Sequence, residues 1–223
     1  MRVFDAASIR NVALVGHSGA GKTQLASALL FAGGGAVTRF GRVDDGTTLT
    51  DYDEEAIARK HTLSATPAYL EWNKAKINLI DTPGMGNFLS EAKAALRAVD
   101  AAVVVVDAVS GVQVSTEKVW AFADELGLPR LIVLTRLDRE RASLDRALDS
   151  IRATLGRAAV PVQLPIGQEQ LFEGVVDLVA MKAWRFAKDE SGKMTETAVP
   201  EAMAGEVKAA REVLTEAVAE ADD

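Results

Sequence analysis

The octapeptide Gly16-His17-Ser18-Gly19-Ala20-Gly21-Lys22-Thr23 constrains this chain more than any other feature. It fits the pattern G-x-x-x-x-G-K-S/T, and it stands between an apolar run, Asn11 to Val15, and a segment of helical period. A strand that turns through glycines straight into a helix gathers backbone N–H groups and the positive end of the helix dipole around one point, which suits a phosphate. In such a loop Lys22 reaches the β- and γ-phosphates of a nucleotide, and the Thr23 hydroxyl ligates Mg²⁺. An ordinary strand–turn–helix also uses glycines for close packing, but the Lys-Thr pair has no part in that role.

The remainder of the chain alternates. Apolar, β-rich runs lie at Leu63 to Trp72, Lys76 to Ile80, Ala101 to Val106, Leu131 to Leu134 and Val160 to Leu164, most of them separated by helix-period segments. This alternation predicts an α/β fold with a mostly parallel sheet covered on both faces. Only Asn73, Lys74 and Ala75 join the runs ending at Trp72 and starting at Lys76, too few for a crossover helix, so that pair predicts one antiparallel edge hairpin. Val119, Phe122, Ala123 and Leu126 form one helical stripe, and Leu144, Leu148, Ile151 and Leu155 another; both read as core. Nearly thirty residues rich in Asp, Thr and Gly separate the first helix from Leu63, and loops of that length are functional or disordered. After Pro165 a second unit begins: strand-like from Gly174 to Phe186, then a polar turn, then a helix from about Pro200 with the seam Met203, Val207, Ala210, Leu214, Ala217 and Ala221.

Composition narrows the function classes. The 223 residues contain no cysteine, which excludes disulfides, thiolate metal sites and a thiol nucleophile, and agrees with a reducing, cytoplasmic setting. Most of the net charge of -7 sits in residues 201 to 223, which hold seven acids and two bases. No basic block marks a free nucleic-acid or anionic-membrane binder, and no run approaches the length of a membrane span.

Kinases, ATPases and GTPases share the phosphate loop, so other motifs must separate them. Asp81-Thr82-Pro83-Gly84 ends the Lys76 to Ile80 run; Asp81 is placed to hold the Mg²⁺ shell, and Gly84 admits a phosphate close to the backbone. Thr135-Arg136-Leu137-Asp138 follows the Leu131 to Leu134 run at the place of a guanine motif, where Asp138 accepts the two donors that guanine has and adenine lacks. Thr135 and Arg136 depart from the usual Asn and Lys, although Arg136 can still lie over the base. Thr62, at the end of the long loop, is placed as the threonine that completes the Mg²⁺ shell when a γ-phosphate is present.

In these motifs the sequence resembles the translational GTPases, specifically the G domain of elongation factor G and its paralogues. Val43-Asp44-Asp45-Gly46 with Thr50-Asp51-Tyr52 resembles the first switch region, and Arg59-Lys60-His61-Thr62-Leu63 its R-G-I-T-I. Gly111-Val112-Gln113 with Glu117 and Trp120 is similar to G-V-Q-x-x-x-E-x-x-W, and Phe172 to Leu178 to the F-x-G-V-V-D-L that opens a G′ insertion. The resemblance implies a P-loop NTPase fold with residues 1–165 as the GTPase core and 166–223 as part of a G′-type α+β insertion. It implies binding of GTP and GDP with Mg²⁺, hydrolysis of GTP stimulated on the ribosome, and a cytoplasmic protein with neither free nucleic acid nor membrane as partner. Three departures point to a paralogue of the main translocase: Met85 stands where the family has a water-orienting His, Gly19 where it has Asp, and Thr135-Arg136 where it has Asn-Lys. The resemblance therefore implies slow hydrolysis and names no certain catalytic residue. The last guanine loop, with its strand and helix, is also expected to be absent, as in a segment of a longer protein. Two other readings stay open: a nucleotide-gated binding module with little hydrolysis, and an ATP-using enzyme on the same loop.

Overall fold

The computed structural model describes residues 3–34, 37–156, 158–189 and 191–220, and the chain divides after Thr135 into two units. The first holds β1 (Ile9–Gly16), α1 (Lys22–Gly33), α2 (Glu54–Arg59), β2 (Thr66–Trp72), β3 (Ala75–Asp81), α3 (Leu89–Leu96), β4 (Ala101–Asp107), α4 (Val114–Glu125) and β5 (Arg130–Thr135). Its sheet has the order β2-β3-β1-β4-β5. β1 runs parallel to β3 and β4, β4 parallel to β5, and β2 antiparallel to β3. This is the α/β architecture, mostly parallel with one antiparallel edge hairpin, that the alternation predicts.

The central strands are apolar without alternation because both their faces are buried. Ala13 and Val15 of β1 pack with Val104 and Val106 of β4 against Ala92 and Leu96 of α3 and Val119 of α4. Leu14 faces the other way, onto Ala26 of α1 and Leu79 of β3. Ala13, Leu14 and Val15 are each 0% exposed, so β1 ends in a rigid bed. At the edge, Asn73 and Lys74 make the two-residue turn, both with positive φ (47° and 67°), the backbone that suits the twist of a tight hairpin.

β2 begins at Thr66, three residues later than the apolar run. Thr66 pairs with Asp81, the last residue of β3, so Leu63 to Ala65 have no neighbour to join. The long loop contains α2, which Asp53 caps by accepting from the N–H groups of Glu55 and Ala56 at 2.9 and 3.3 Å.

The second unit holds α5 (Leu144–Thr154), β6 (Gln163–Ile166), β7 (Gly174–Asp177), β8 (Lys182–Phe186), β9 (Met194–Thr197) and α6 (Ala204–Ala219). Its four strands form an antiparallel meander in the order β6-β7-β8-β9. The Val160 to Leu164 run therefore contributes β6 to this second sheet and no strand to the parallel one. The core is Leu164, Ile166, Val176, Leu178 and Ala183 under Val207 and Leu214 of α6, with Leu144 of α5 packed against it. The α6 seam is the predicted one; Ala221 lies outside the described residues. Among the described residues, no helix is long and apolar enough to cross a membrane.

β1 is the central strand of its sheet and is buried on both faces, so its packing should set the unit's stability. Leu14→Ala removes a fully buried side chain and is expected to destabilise the protein by about 2–5 kcal/mol, read from the denaturant midpoint.

Candidate functional site

β1 delivers the chain to Gly16, and α1 leaves from Lys22, so the intervening loop is held at both ends. Gly16 has φ of 143°, and a Cβ there would lie 2.4 Å from the Val105 carbonyl oxygen, which only glycine avoids. Gly19 and Gly21 also adopt positive φ, and Gly21 caps α1. The loop thus turns its backbone inward around Lys22.

Lys22 is 5% exposed. Its Nζ donates to the carbonyls of Gly16 and His17 at 3.1 and 2.9 Å. Burial pushes the ammonium down to about 8, against the pull of Asp81 and Asp51, the two carboxylates that hold its charge. Burial and the Lys22 charge together hold the His17 imidazole below its usual range.

Asp81 ends β3 with 0% exposure. Thr50 Oγ1 donates to its Oδ2 at 2.9 Å, while Oδ1 is buried with no hydrogen-bond partner. Burial pushes this carboxyl up to about 6, although the Thr23 and Thr50 hydroxyls and the Lys22 charge draw it down. Thr82 donates to the Leu14 carbonyl at 2.7 Å and locks the turn onto β1. Gly84 then meets the loop directly: its carbonyl accepts from the Ser18 N–H at 3.1 Å, and a Cβ there would lie 2.4 Å from Lys22 Nζ.

From the long loop, Thr62 brings its hydroxyl to 2.8 Å from that of Thr23. Asp51, 5% exposed, has a buried Oδ1 without a partner, and burial raises its carboxyl against the influence of Thr62, His61 and Lys22. The structure therefore brings Lys22, Thr23, Thr62, Asp81 and Gly84 together. Sequence reasoning missed Thr50 and Asp51 as site residues, because neither lies in a periodic element; their only signal is the Thr50-Asp51-Tyr52 stretch itself. Met85 follows Gly84, half-buried, and its thioether is at best a weak acceptor.

Thr135 closes the loop from behind. Its hydroxyl donates to the Ala20 carbonyl at 2.8 Å, so it braces the phosphate loop as well as ending β5. Arg136 and Asp138 stand in the second unit. There Arg136 has φ of 60° and accepts from the Arg139 N–H at 3.1 Å, and Asp138 is exposed on the resulting turn.

The residues present fit a hard divalent cation held partly by a phosphate ligand. Two buried carboxylates each leave one oxygen unpartnered beside two threonine hydroxyls. No cluster of three or more His, Asp or Glu able to hold a metal occurs among the described residues. Mg²⁺ is typically held by one or two carboxylates and hydroxyls with substrate phosphates completing the shell.

The buried Asp81 makes a pH signature. Its proton is held to higher pH in the folded protein than in the unfolded chain, so its contribution to stability is complete below about pH 4 and is lost as pH rises through about 6. Asp81→Asn should escape that loss. Its stability advantage over the parent protein, measured without nucleotide or metal, should grow by up to about 3 kcal/mol between pH 4 and pH 7. Parallel unfolding curves at all pH values would contradict the burial of a strained carboxylate.

Residues 7–220 match the model of the elongation factor Tu GTP binding domain. The chain is 42% identical over 220 residues to elongation factor G 2 of Streptomyces coelicolor and 36% identical over 222 residues to elongation factor G of Mycoplasma pneumoniae. These alignments cover 99% and 100% of this chain but 32% of each relative, so the chain spans about a third of their length. A crystal structure of a protein from Thermus thermophilus superposes with a TM-score of 0.90 at 42% identity, over 98% of this chain and 32% of that one. The phosphate loop, the turn after β3 and the threonine of the long loop are thus arranged on a chain that belongs to the elongation factor Tu GTP binding domain family.

Proposed function

We propose that the chain is the GTP- and GDP-binding domain of an elongation factor G-like translation factor, a switch that hydrolyses GTP slowly and acts on the ribosome, in the cytoplasm, through the whole protein. The observation that carries this reading is the convergence of Lys22, Thr23, Thr62 and Asp81 at the mouth of the glycine loop. Residues Gly16 to Thr23 bind the phosphates through loop N–H groups and the Lys22 ammonium, which exchanges its bonds to loop carbonyls for bonds to the nucleotide. Thr23, Thr62 and Asp81 are the groups that hold Mg²⁺. Bound there, that ion supplies charge neutralisation on the phosphates. Asp138 is the guanine reader and Arg136 lies over the base, while Thr135 braces the glycine loop through its bond to the Ala20 carbonyl. Residues 166–223 serve as part of a G′-type insertion on the same reading.

Slow hydrolysis follows from Met85. A positioned proton acceptor or water orienter is typically worth roughly 10²–10⁴ in rate, and a thioether supplies neither function. Met85→His is therefore expected to raise single-turnover GTP hydrolysis in the presence of ribosomes by at least tenfold. Unchanged turnover would leave the second reading, a nucleotide-gated binding module with little hydrolysis, which the same Met85 favours.

Base specificity separates both readings from an ATP-using enzyme. GTP should displace a labelled guanine nucleotide from this domain far better than ATP does, and Asp138→Ala should erase the preference by weakening GTP roughly a hundredfold or more. Equal competition by ATP in the parent protein would overturn the GTP assignment.

A further inference from the structure

The polar segment from Phe40 to Thr62 crosses the site as a strap, and one side of α1 holds its beginning. Gln24 is bound twice: its Nε2 donates to the Gly41 carbonyl at 3.1 Å, and its Oε1 accepts from the Val43 N–H at 3.2 Å. Ser27, 5% exposed, donates to the same Gly41 carbonyl at 2.8 Å. One turn further along α1, the Phe31 ring meets Phe40 edge-on with centroids 6.0 Å apart. Positions 24, 27 and 31 share one helix face, so a single stripe of α1 grips residues 40–43.

The grip is close-fitting. A Cβ on Gly41 would lie 2.6 Å from the Thr47 carbonyl and 2.9 Å from Ser27 Oγ. Just past it the strap folds on itself, with the Thr47 N–H donating to the Arg42 carbonyl and the Thr47 hydroxyl accepting from the Arg42 N–H. The other end of the strap is tied differently. Thr50 bonds Asp81 and Thr62 lies on Thr23, so both ties run to groups to which the proposed function gives the metal. The ties at residues 41–43 run to Gln24 and Ser27, which carry no such role, and Gln24 directly follows Thr23.

We propose that Gln24 and Ser27 are positioning residues that pin the root of the strap, so that it opens from its Thr50–Thr62 end and the pin sets how fast nucleotide leaves. With the root held, opening breaks the Thr50–Asp81 and Thr62–Thr23 contacts and draws Asp51 away from Lys22, and the strap returns to the same register each time. Without it the whole segment is released, and Thr62 loses the fixed path that brings it to Thr23. The part concerning release rests on the nucleotide-binding reading above; the pinning itself does not.

Two measurements on the full chain test this. Limited trypsin cleavage after Arg42, without nucleotide, tracks the population in which the root is open. Gln24→Met keeps the side-chain volume and removes both hydrogen bonds, and should speed that cleavage about tenfold, the size expected for two net hydrogen bonds. Gly41→Ala, which wedges the same contact without touching α1, should do likewise, and cleavage within residues 136–223 should be unchanged in both. Gln24→Glu keeps the acceptor for Val43 and loses the donor to Gly41, so it should fall between parent and Gln24→Met. Release of a fluorescent GDP should accelerate in the same order. Unchanged cleavage after Arg42 in both Gln24→Met and Gly41→Ala overturns the pin. Faster cleavage with unchanged GDP release overturns its control of the nucleotide. Failure of the parent protein to bind GDP at all counts against the GTP-binding reading alone, since the cleavage result stands without it.

Discussion

Everything at this site depends on an ammonium kept almost out of water. Lys22 is lodged between two loop carbonyls and beside two carboxylates, and burial lowers its affinity for its own proton. A buried charge is tolerated when its partners are fixed, and each partner here is fixed by a different element. The carbonyls belong to the turn after β1, Asp81 to the end of β3, and Asp51 to the strap. Removing any of these elements leaves the ammonium short of a partner, which is why the loop, the sheet and the strap are built around one side chain.

The same arrangement is a poor one for stability considered alone. Asp51 and Asp81 are both raised by burial and each holds an oxygen with nothing to bond. Groups in that condition gain more from a cation and a phosphate than groups already satisfied by water. The domain gives up folding free energy to keep them so, a pattern usual where binding is the purpose of the burial.

Sequence reading reached the fold through residues whose pattern has one structural solution. The unbroken Ala101 to Val106 run is legible because a strand covered on both faces has no polar side to show. The Gly16 to Thr23 loop is legible because its glycines answer to backbone geometry and its Lys-Thr to phosphate chemistry. Reading failed where the outcome depended on distant partners. β6 could be placed only by knowing that Leu164 faces Val176 across a second sheet. The start of β2 depended on where β3 ends. Thr50 and Gln24 acquire their roles from contacts 31 and 17 residues away in sequence, Thr50 with Asp81 and Gln24 with Gly41, and no local period records such contacts.

The edge hairpin carries a mechanical meaning beyond its place at the border of the sheet. β2 begins just after the strap ends at Thr62, and β3 finishes at Asp81, with Thr66 seated directly opposite Asp81 across the ladder. The strap and the turn that carries Asp81 therefore hang from the two arms of one clasp, closed at its far end by the tight Asn73-Lys74 turn. Seven registered pairs resist sliding of one arm past the other. A pull on the strap is delivered through β2 to the carboxylate at the tip of β3, so that the strap and the Asp81 turn answer to a common strain even where their side chains do not touch.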